Sequence, residues 1–537
     1  MLDLATLHEA IAAAIPDREC LVWRDRRMTW REITDRTRRL ANVLHAHGLG
    51  LRGAGEHGTA SAPWESPHDH LALYLHNGPE YLEGLVGAHK ARVAPFNVNY
   101  RYVDDELAQL FGDARPAAVL YHARFADVIG RVAERLGTRP LLLQVADDSG
   151  AALLPGALDY EDALAKASTD PLPDRPDAHD LHILYTGGTT GMPKGTLWRI
   201  GDLMLGPLGM RRRDGGPVTD LGEAVERAVA SDVRVLVGPP LMHGGGTWSA
   251  LGGWCGGACV VFPDRTDGLD AADLMATAER ERVTRMPMVG DAFARPIVQA
   301  LEARPHDLAS LRTIINSAAG ISPGVKERLL ELLPHTRLVD VLGSSETGFQ
   351  VTRSGAAART FAMAAGTAVL SADRSRRLAP GEDELGWLAK GGSIPLAYLG
   401  DPAKTASTFL TVDGERLVVA GDRARLLADG TVEVHGREAT TINTGGEKVF
   451  AEEVETVLRG LPGVTDALVV GRPSERWGTE IVAVVSPAGA PSDDDLRAGC
   501  AAHLARYKIP KAFVRTGHGL RLPNGKADYA AARALLD

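Results

Sequence analysis

The run Tyr185-Thr186-Gly187-Gly188-Thr189-Thr190-Gly191-Met192-Pro193-Lys194-Gly195 gathers glycines, threonines and a lysine into one short segment. Such a loop suits polyphosphate. Glycine lets backbone N–H groups approach oxygens closely, hydroxyls donate further bonds, and Lys194 supplies charge. It is not a Walker A loop, which places Gly before its lysine and Ser or Thr after it; Pro193 and Gly195 stand there. The four cysteines, Cys20, Cys255, Cys259 and Cys500, lack paired metal-ligand spacing and read as buried thiols. Arg211-Arg212-Arg213 reads as a solvated loop, and His76 as a loop residue.

The elements around the loop alternate. Leu181 to Leu184 is an apolar strand leading into it. Leu71 to Leu75, Ala117 to Tyr121, Leu141 to Val145, Val233 to Val237 and Leu338 to Leu342 are further buried strands. Glu80 to Ala91 carries Tyr81, Leu82, Leu85 and Val86 on one helical stripe, and Val325 to Leu333 is a second helix. Strand–helix alternation over several hundred residues predicts an α/β fold with largely parallel sheets. Near Arg416 the pattern changes to short antiparallel strands around Asp429-Gly430. A tail of roughly 100 residues follows, enough for a small α+β domain, and the boundary is expected at Arg437. Gly53 to His68 reads as an inserted surface loop.

Composition narrows the function. At 537 residues the chain exceeds one core. A net charge of -10 argues against nucleic-acid binding. The N-terminus lacks a basic signal-peptide region, and Val235 to Pro263, the longest uncharged stretch, holds prolines and many glycines. The expectation is a soluble, cytoplasmic protein without a membrane span.

The glycine–threonine loop is similar to the phosphate-binding motif of the adenylate-forming superfamily of acyl-CoA synthetases, luciferases and peptide-synthetase adenylation domains. Further segments resemble that family in order. Pro239-Pro240-Leu241-Met242-His243-Gly244 resembles the motif before the acyl pocket, where His243 would gate substrate. Asn316-Ser317-Ala318-Ala319-Gly320 resembles the turn along adenine. Gly343-Ser344-Ser345-Glu346-Thr347-Gly348 resembles the motif whose Glu binds Mg²⁺ and whose hydroxyl touches phosphate. Asp422 after Gly421, and Arg437 after Gly436, match positions that reach the ribose; the second is also the hinge. Gly445-Gly446-Glu447-Lys448 and Glu452-Glu453-Val454-Glu455 resemble the segment forming the CoA tunnel, and Pro523-Asn524-Gly525-Lys526 the loop with the adenylation lysine. Asn97-Val98-Asn99-Tyr100-Arg101-Tyr102 and Ile442 to Lys448 look most like actinobacterial fatty-acyl and steroid-side-chain acyl-CoA synthetases.

The resemblance implies a large N-terminal adenylate-forming domain, 1–436, of α/β layered subdomains with a small β-barrel-like region, and a small mobile α+β domain, 437–537. It implies ATP, Mg²⁺ and CoA as cofactors and a carboxylic acid as substrate. Lys526 would meet the carboxylate and α-phosphate, Glu346 would hold the metal, and Lys194 with Thr186, Thr189 and Thr190 would hold the outer phosphates beside Gly187, Gly188 and Gly191. Preorganised cations suit the attack of a carboxylate on a phosphate. Ala439 and Ala451 depart from the family pattern at the hinge and tunnel, and Leu342 replaces a stacking aromatic. They leave open an enzyme that mainly thioesterifies a preformed adenylate. An enzyme that loads a separate carrier protein, and a homodimer, also stay open. No acidic residue stands in Leu241 to Gly246 to hold an amino-acid ammonium. Gly244, Gly245, Gly246, Ala318, Ala319 and Gly320 suggest space for a long or bulky fatty, steroid or terpenoid acid, while Trp248 and Trp254 read as core.

Overall fold

The computed structural model describes the chain except residues 54–59, 61, 188–192, 213, 319–320, 322, 355–359, 438–440, 488–490, 518, 521–527 and 537. The chain divides into two compact units. The first comprises 1–100, 114–185 and 195–436; the second comprises 101–113, 186–194 and 437–537.

Two large sheets dominate the first unit. In one, the strands Leu181–Gly187, Ala94–Asn97, His70–Tyr74, Ala118–His122 and Leu141–Val145 lie side by side and parallel. In the other, Arg337–Ser344, Thr313–Asn316, Arg285–Met288, Arg234–Leu236 and Cys259–Phe262 run parallel in that order. Their central strands are apolar because both faces are covered. Leu71, Leu73, Leu120, Val235 and Val260 share one core cluster. The helix Trp30–Ala46 begins with a capping box in which Thr29 and Glu32 bond each other's backbone N–H groups. The predicted helix at Glu80 is Pro79–Lys90; Glu80 and Glu83 are buried against Arg26 and Arg36.

The α/β expectation holds. The region read as barrel-like is a mostly antiparallel sheet running from Thr367–Leu370 to Val432–Arg437, with separate apolar clusters around Leu388 and around Trp387. Residues 54–59 and 61 of the inserted loop before His68 lie outside the described residues. The four cysteines are buried thiols, as expected. Trp248 and Trp254 are buried, and the Trp254 indole donates to the Cys20 carbonyl.

The solvated-loop reading holds for Arg212, which is exposed, and the reading of His76 is refined. Arg212 is ion-paired with Glu223, and Arg211 donates to the Leu205 carbonyl; Arg213 lies outside the described residues. His76 is not a plain loop residue. Its ring stacks on Tyr100 at 4.3 Å and its N–H donates to His122 Nδ1, while burial, with His122 beside it, pushes its pKa down to about 4. It lies just past the strand His70–Tyr74, and nothing in the local sequence hints at its aromatic neighbour Tyr100.

In the second unit, Val464–Ser474 pairs antiparallel with Gly478–Pro487, which pairs parallel with Ala512–Arg515. The helices Ala451–Gly460 and Asp493–His503 cover this sheet through Val454, Leu458, Leu496 and Cys500. No helix among the described residues is long and apolar enough to cross a membrane.

Candidate functional site

His243 is half-buried and caps the helix Gly244–Cys255 from an extended backbone. The turn before it is fixed by neutral groups. Asn77 accepts from the Leu241 N–H at 2.7 Å and donates to the Pro239 carbonyl at 3.0 Å. Thr247 donates its hydroxyl to the Leu241 carbonyl. Asn97 donates to the Met242 carbonyl at 2.6 Å and to the Tyr185 carbonyl at 2.7 Å, and accepts from the Tyr185 N–H at 2.7 Å. Gly246 is small for a reason other than pocket space: a Cβ there would stand 2.4 Å from the Pro240 carbonyl oxygen.

Glu346 is half-buried at the turn joining Arg337–Ser344 to Gly348–Ser354. Tyr398 donates its phenol to Glu346 Oε1 at 2.7 Å. The Glu346 N–H donates to Ser344 Oγ at 3.2 Å, and the Ser344 N–H to Thr347 Oγ1 at 2.9 Å. These two hydroxyls therefore shape the turn, and Gly343 opens it. The Ser345 carbonyl accepts from the Trp198 indole at 2.9 Å.

Ser317 and Ala318 follow the strand Thr313–Asn316, and Ala318 holds a left-handed φ of 64°. Asn316 accepts from the Gly290 N–H at 2.7 Å and donates to Asp340 at 3.0 Å. Lys326 and Arg353 also bond Asp340, holding its carboxyl below the usual range against the effect of burial. Ser317 Oγ lies 3.3 Å from where a Gly245 Cβ would be. Asp422 is buried and opens the strand Asp422–Leu426.

Thr186 and Lys194 are half-buried, near the end of Leu181–Gly187 and the start of Pro193–Arg199. Gly188, Thr189, Thr190, Gly191, Ala319, Ala439 and Lys526 lie outside the described residues, as does the Arg437 side chain. In the second unit, Gly445 and Gly446 form a two-residue hairpin turn with φ of 56° and 86° between Thr441–Thr444 and Glu447–Phe450. Positive φ at both central residues explains the glycine pair. Lys448 is half-buried, and Glu447 is paired with Arg101.

Residues 8–377 match the model of the AMP-binding enzyme, and residues 453–524 that of the AMP-binding enzyme C-terminal domain. The chain belongs to the AMP-binding enzyme family. It is an AMP-forming acid–thiol ligase that uses ATP, Mg²⁺ and CoA. The ligase is 48% identical over 533 residues to the medium-chain acyl-CoA ligase Mig of Mycobacterium avium, covering 98% of this chain and 96% of that one. It is 34% identical to the 3-oxocholest-4-en-26-oate--CoA ligase of Rhodococcus rhodochrous, covering 99% and 95%. Its fold is similar to that of o-succinylbenzoate CoA synthetase (MenE) from Bacillus subtilis, with TM-score 0.79, 20% identity and coverage of 98% and 97%.

The ligase also carries positioning groups that sequence reading passed over. Asn77, Tyr398 and Trp198 lie outside the motifs quoted for the site; only their contacts reveal them. A second cluster is charged. Lys508 bonds Glu106 at 2.6 Å and Glu453 at 2.7 Å, and its ammonium lies 5.0 Å from the Tyr102 ring centroid. Glu106 also accepts from the Ala505 N–H at 3.1 Å. Two carboxylates share one buried ammonium. Burial, with Glu106 nearby and despite Lys508, pushes the Glu453 pKa up to about 7. The glutamates of the Glu452–Glu455 segment thus divide: Glu453 faces Lys508, and Glu455 accepts from the Val469 N–H and the Tyr529 hydroxyl.

Proposed function

We propose that this ligase activates a medium- to long-chain fatty acid or a steroid-type carboxylic acid in two steps, using the residues named from the sequence. A carboxylate oxygen attacks the α-phosphorus of ATP; pyrophosphate leaves and the acyl-adenylate forms. The thiol of CoA then attacks the acyl carbonyl, loses its proton to solvent, and AMP leaves.

One convergence carries the reading. Motifs far apart in sequence meet within the first unit: Asn97 joins Tyr185 to Met242, Trp198 joins the strand after the phosphate loop to Ser345, and Gly245 abuts Ser317. The edge-on ring of Trp248 sits between Trp198 and Phe349, at centroid distances of 6.5 and 6.4 Å. Nucleotide-handling and acid-handling turns therefore share one frame.

In this proposal Glu346 holds Mg²⁺, with Tyr398 orienting the carboxylate. A lone carboxylate fits this ion, which keeps waters and takes phosphate oxygens as ligands. Bound there, the ion would neutralise charge on the phosphates and make pyrophosphate a better leaving group. Lys194 and Thr186, with Gly187, Gly188, Thr189, Thr190 and Gly191, hold the β- and γ-phosphates. Ser317, Ala318 and Ala319 lie along adenine, Gly343, Ser344, Ser345 and Thr347 shape the metal turn, and Asp422 and Arg437 take the ribose. His243 gates the acid, Lys526 binds the carboxylate during adenylation, and Gly445 to Lys448 line the path of CoA. Residues 437–537 act as the lid domain, 1–436 as the adenylate-forming domain, and the enzyme works in the cytoplasm, where ATP and CoA are made available.

The test is a panel of acids from acetate to polycyclic acids, scored for pyrophosphate release and for acyl-CoA by mass, with Lys526→Ala beside the parent. Removing such a transition-state donor typically lowers the rate by about 10²–10³-fold. Both products from a long or polycyclic acid, with pyrophosphate lost in the variant, support the proposal. Pyrophosphate without acyl-CoA points to a carrier-protein acceptor. Conversion of a supplied acyl-adenylate alone points to a thioesterifying enzyme. A preference for acetate or benzoate sinks the substrate class.

A further inference from the structure

Asn97 ends the strand Ala94–Asn97 and is 7% exposed. That strand meets Leu181–Gly187 through the parallel pairing of Phe96 with Ile183. One step further along, the Asn97 amide takes the place of a strand neighbour. It accepts the N–H and donates to the carbonyl of Tyr185, the residue before Thr186. Its second donor goes to Met242, the residue before His243. A primary amide has two donors and one carbonyl, and all three functions are engaged here. An aspartate would set oxygens against two carbonyls, and a serine would be too short to reach both elements.

We propose that Asn97 is a positioning residue that couples nucleotide binding to acid binding, by tying the stalk of the phosphate loop to the turn carrying His243. The inference rests on the assignment of that loop to ATP and of that turn to the acid. A displacement of Tyr185 when phosphates bind is passed through one planar amide to Met242, and the reverse holds for the acid. Such coupling is reciprocal: each ligand changes the other's affinity by the same factor. Asn77 is the internal control. Its amide fixes the same turn through Leu241, Pro239 and Val237, with no bond to Tyr185.

The experiment uses the full chain with α,β-methylene-ATP and Mg²⁺, with decanoate, and with both. Hydrogen exchange read by mass spectrometry should show the nucleotide slowing residues 241–247 as well as 183–187, and decanoate slowing 183–187 as well as 241–247. By calorimetry, decanoate should tighten the analogue by about 5–150-fold, a factor that drops to about 1 in Asn97→Ser and persists in Asn77→Ser. Protection confined to each ligand's own segment overturns the inference, as does coupling that survives in a folded Asn97→Ser. Nucleotide that fails to protect 183–187, or decanoate that fails to protect 241–247, overturns the site assignment and the coupling with it. The exchange measurement needs only the unmodified protein, so a variant that does not fold leaves the test intact.

Discussion

The turn before His243 and the Lys508 cluster are both buried and polar, yet they are built from opposite materials. At the turn, Asn77 and Asn97 satisfy backbone groups with neutral amides. In the second unit, one ammonium faces two carboxylates, Glu106 and Glu453. Neutral amides lose little on burial once bonded, and they respond weakly to pH and salt. Buried charges depend on each partner being present, and on protons. A rigid frame is the natural use of the first arrangement, a condition-sensitive joint of the second.

The comparison breaks hardest at Lys508. In Lys508→Met two carboxylates are left buried without their counter-charge, which should destabilise the second unit by about 3–5 kcal/mol; hydrogen exchange of the strands Val464–Ser474 and Gly478–Pro487 across a urea series measures it. Stability unchanged in that variant would remove the cluster from the argument.

The pH response comes next. Glu453 has its folded pKa raised from 4.5 to about 7, so between those values the folded protein keeps a proton that the unfolded chain releases. Stability from this group should therefore fall as pH rises from 4.5 to about 7 and level off above. Glu453→Gln should flatten that slope, read from thermal midpoints across the range.

Asn77→Ala leaves the Leu241 N–H and the Pro239 carbonyl buried without their amide, at about 1–3 kcal/mol each. Its loss should be the same at pH 6 and pH 8, which sharpens the contrast with Lys508. A strongly pH-dependent loss would erase it. The smallest effect belongs to Tyr398→Phe. Without the phenol on Glu346, the Mg²⁺ concentration for half-maximal pyrophosphate release should rise by about 2–10-fold, equivalent to one hydrogen bond of about 0.5–1.5 kcal/mol. An equal Mg²⁺ requirement in parent and variant would deny Tyr398 that role.

Strand–helix alternation and local motifs made much of this protein readable in one dimension. The strand Leu141–Val145 stands where apolar periodicity put it, and the helix Pro79–Lys90 lies one residue from its reading at Glu80 to Ala91. These features follow from short-range sterics and from faces that must be buried, so neighbouring residues suffice to specify them. The order of the motifs likewise identified the family. Gly246 shows the limit. Its small size suggested pocket space, whereas the Pro240 carbonyl occupies the place of its Cβ. The partners of Asn97, Tyr398 and Lys508 stand 88, 52 and 402 positions away. No local pattern encodes such pairs, because an amide, a phenol or an ammonium is equally at home in water. Only folding, which takes water away and brings distant strands together, decides what each of them must hold.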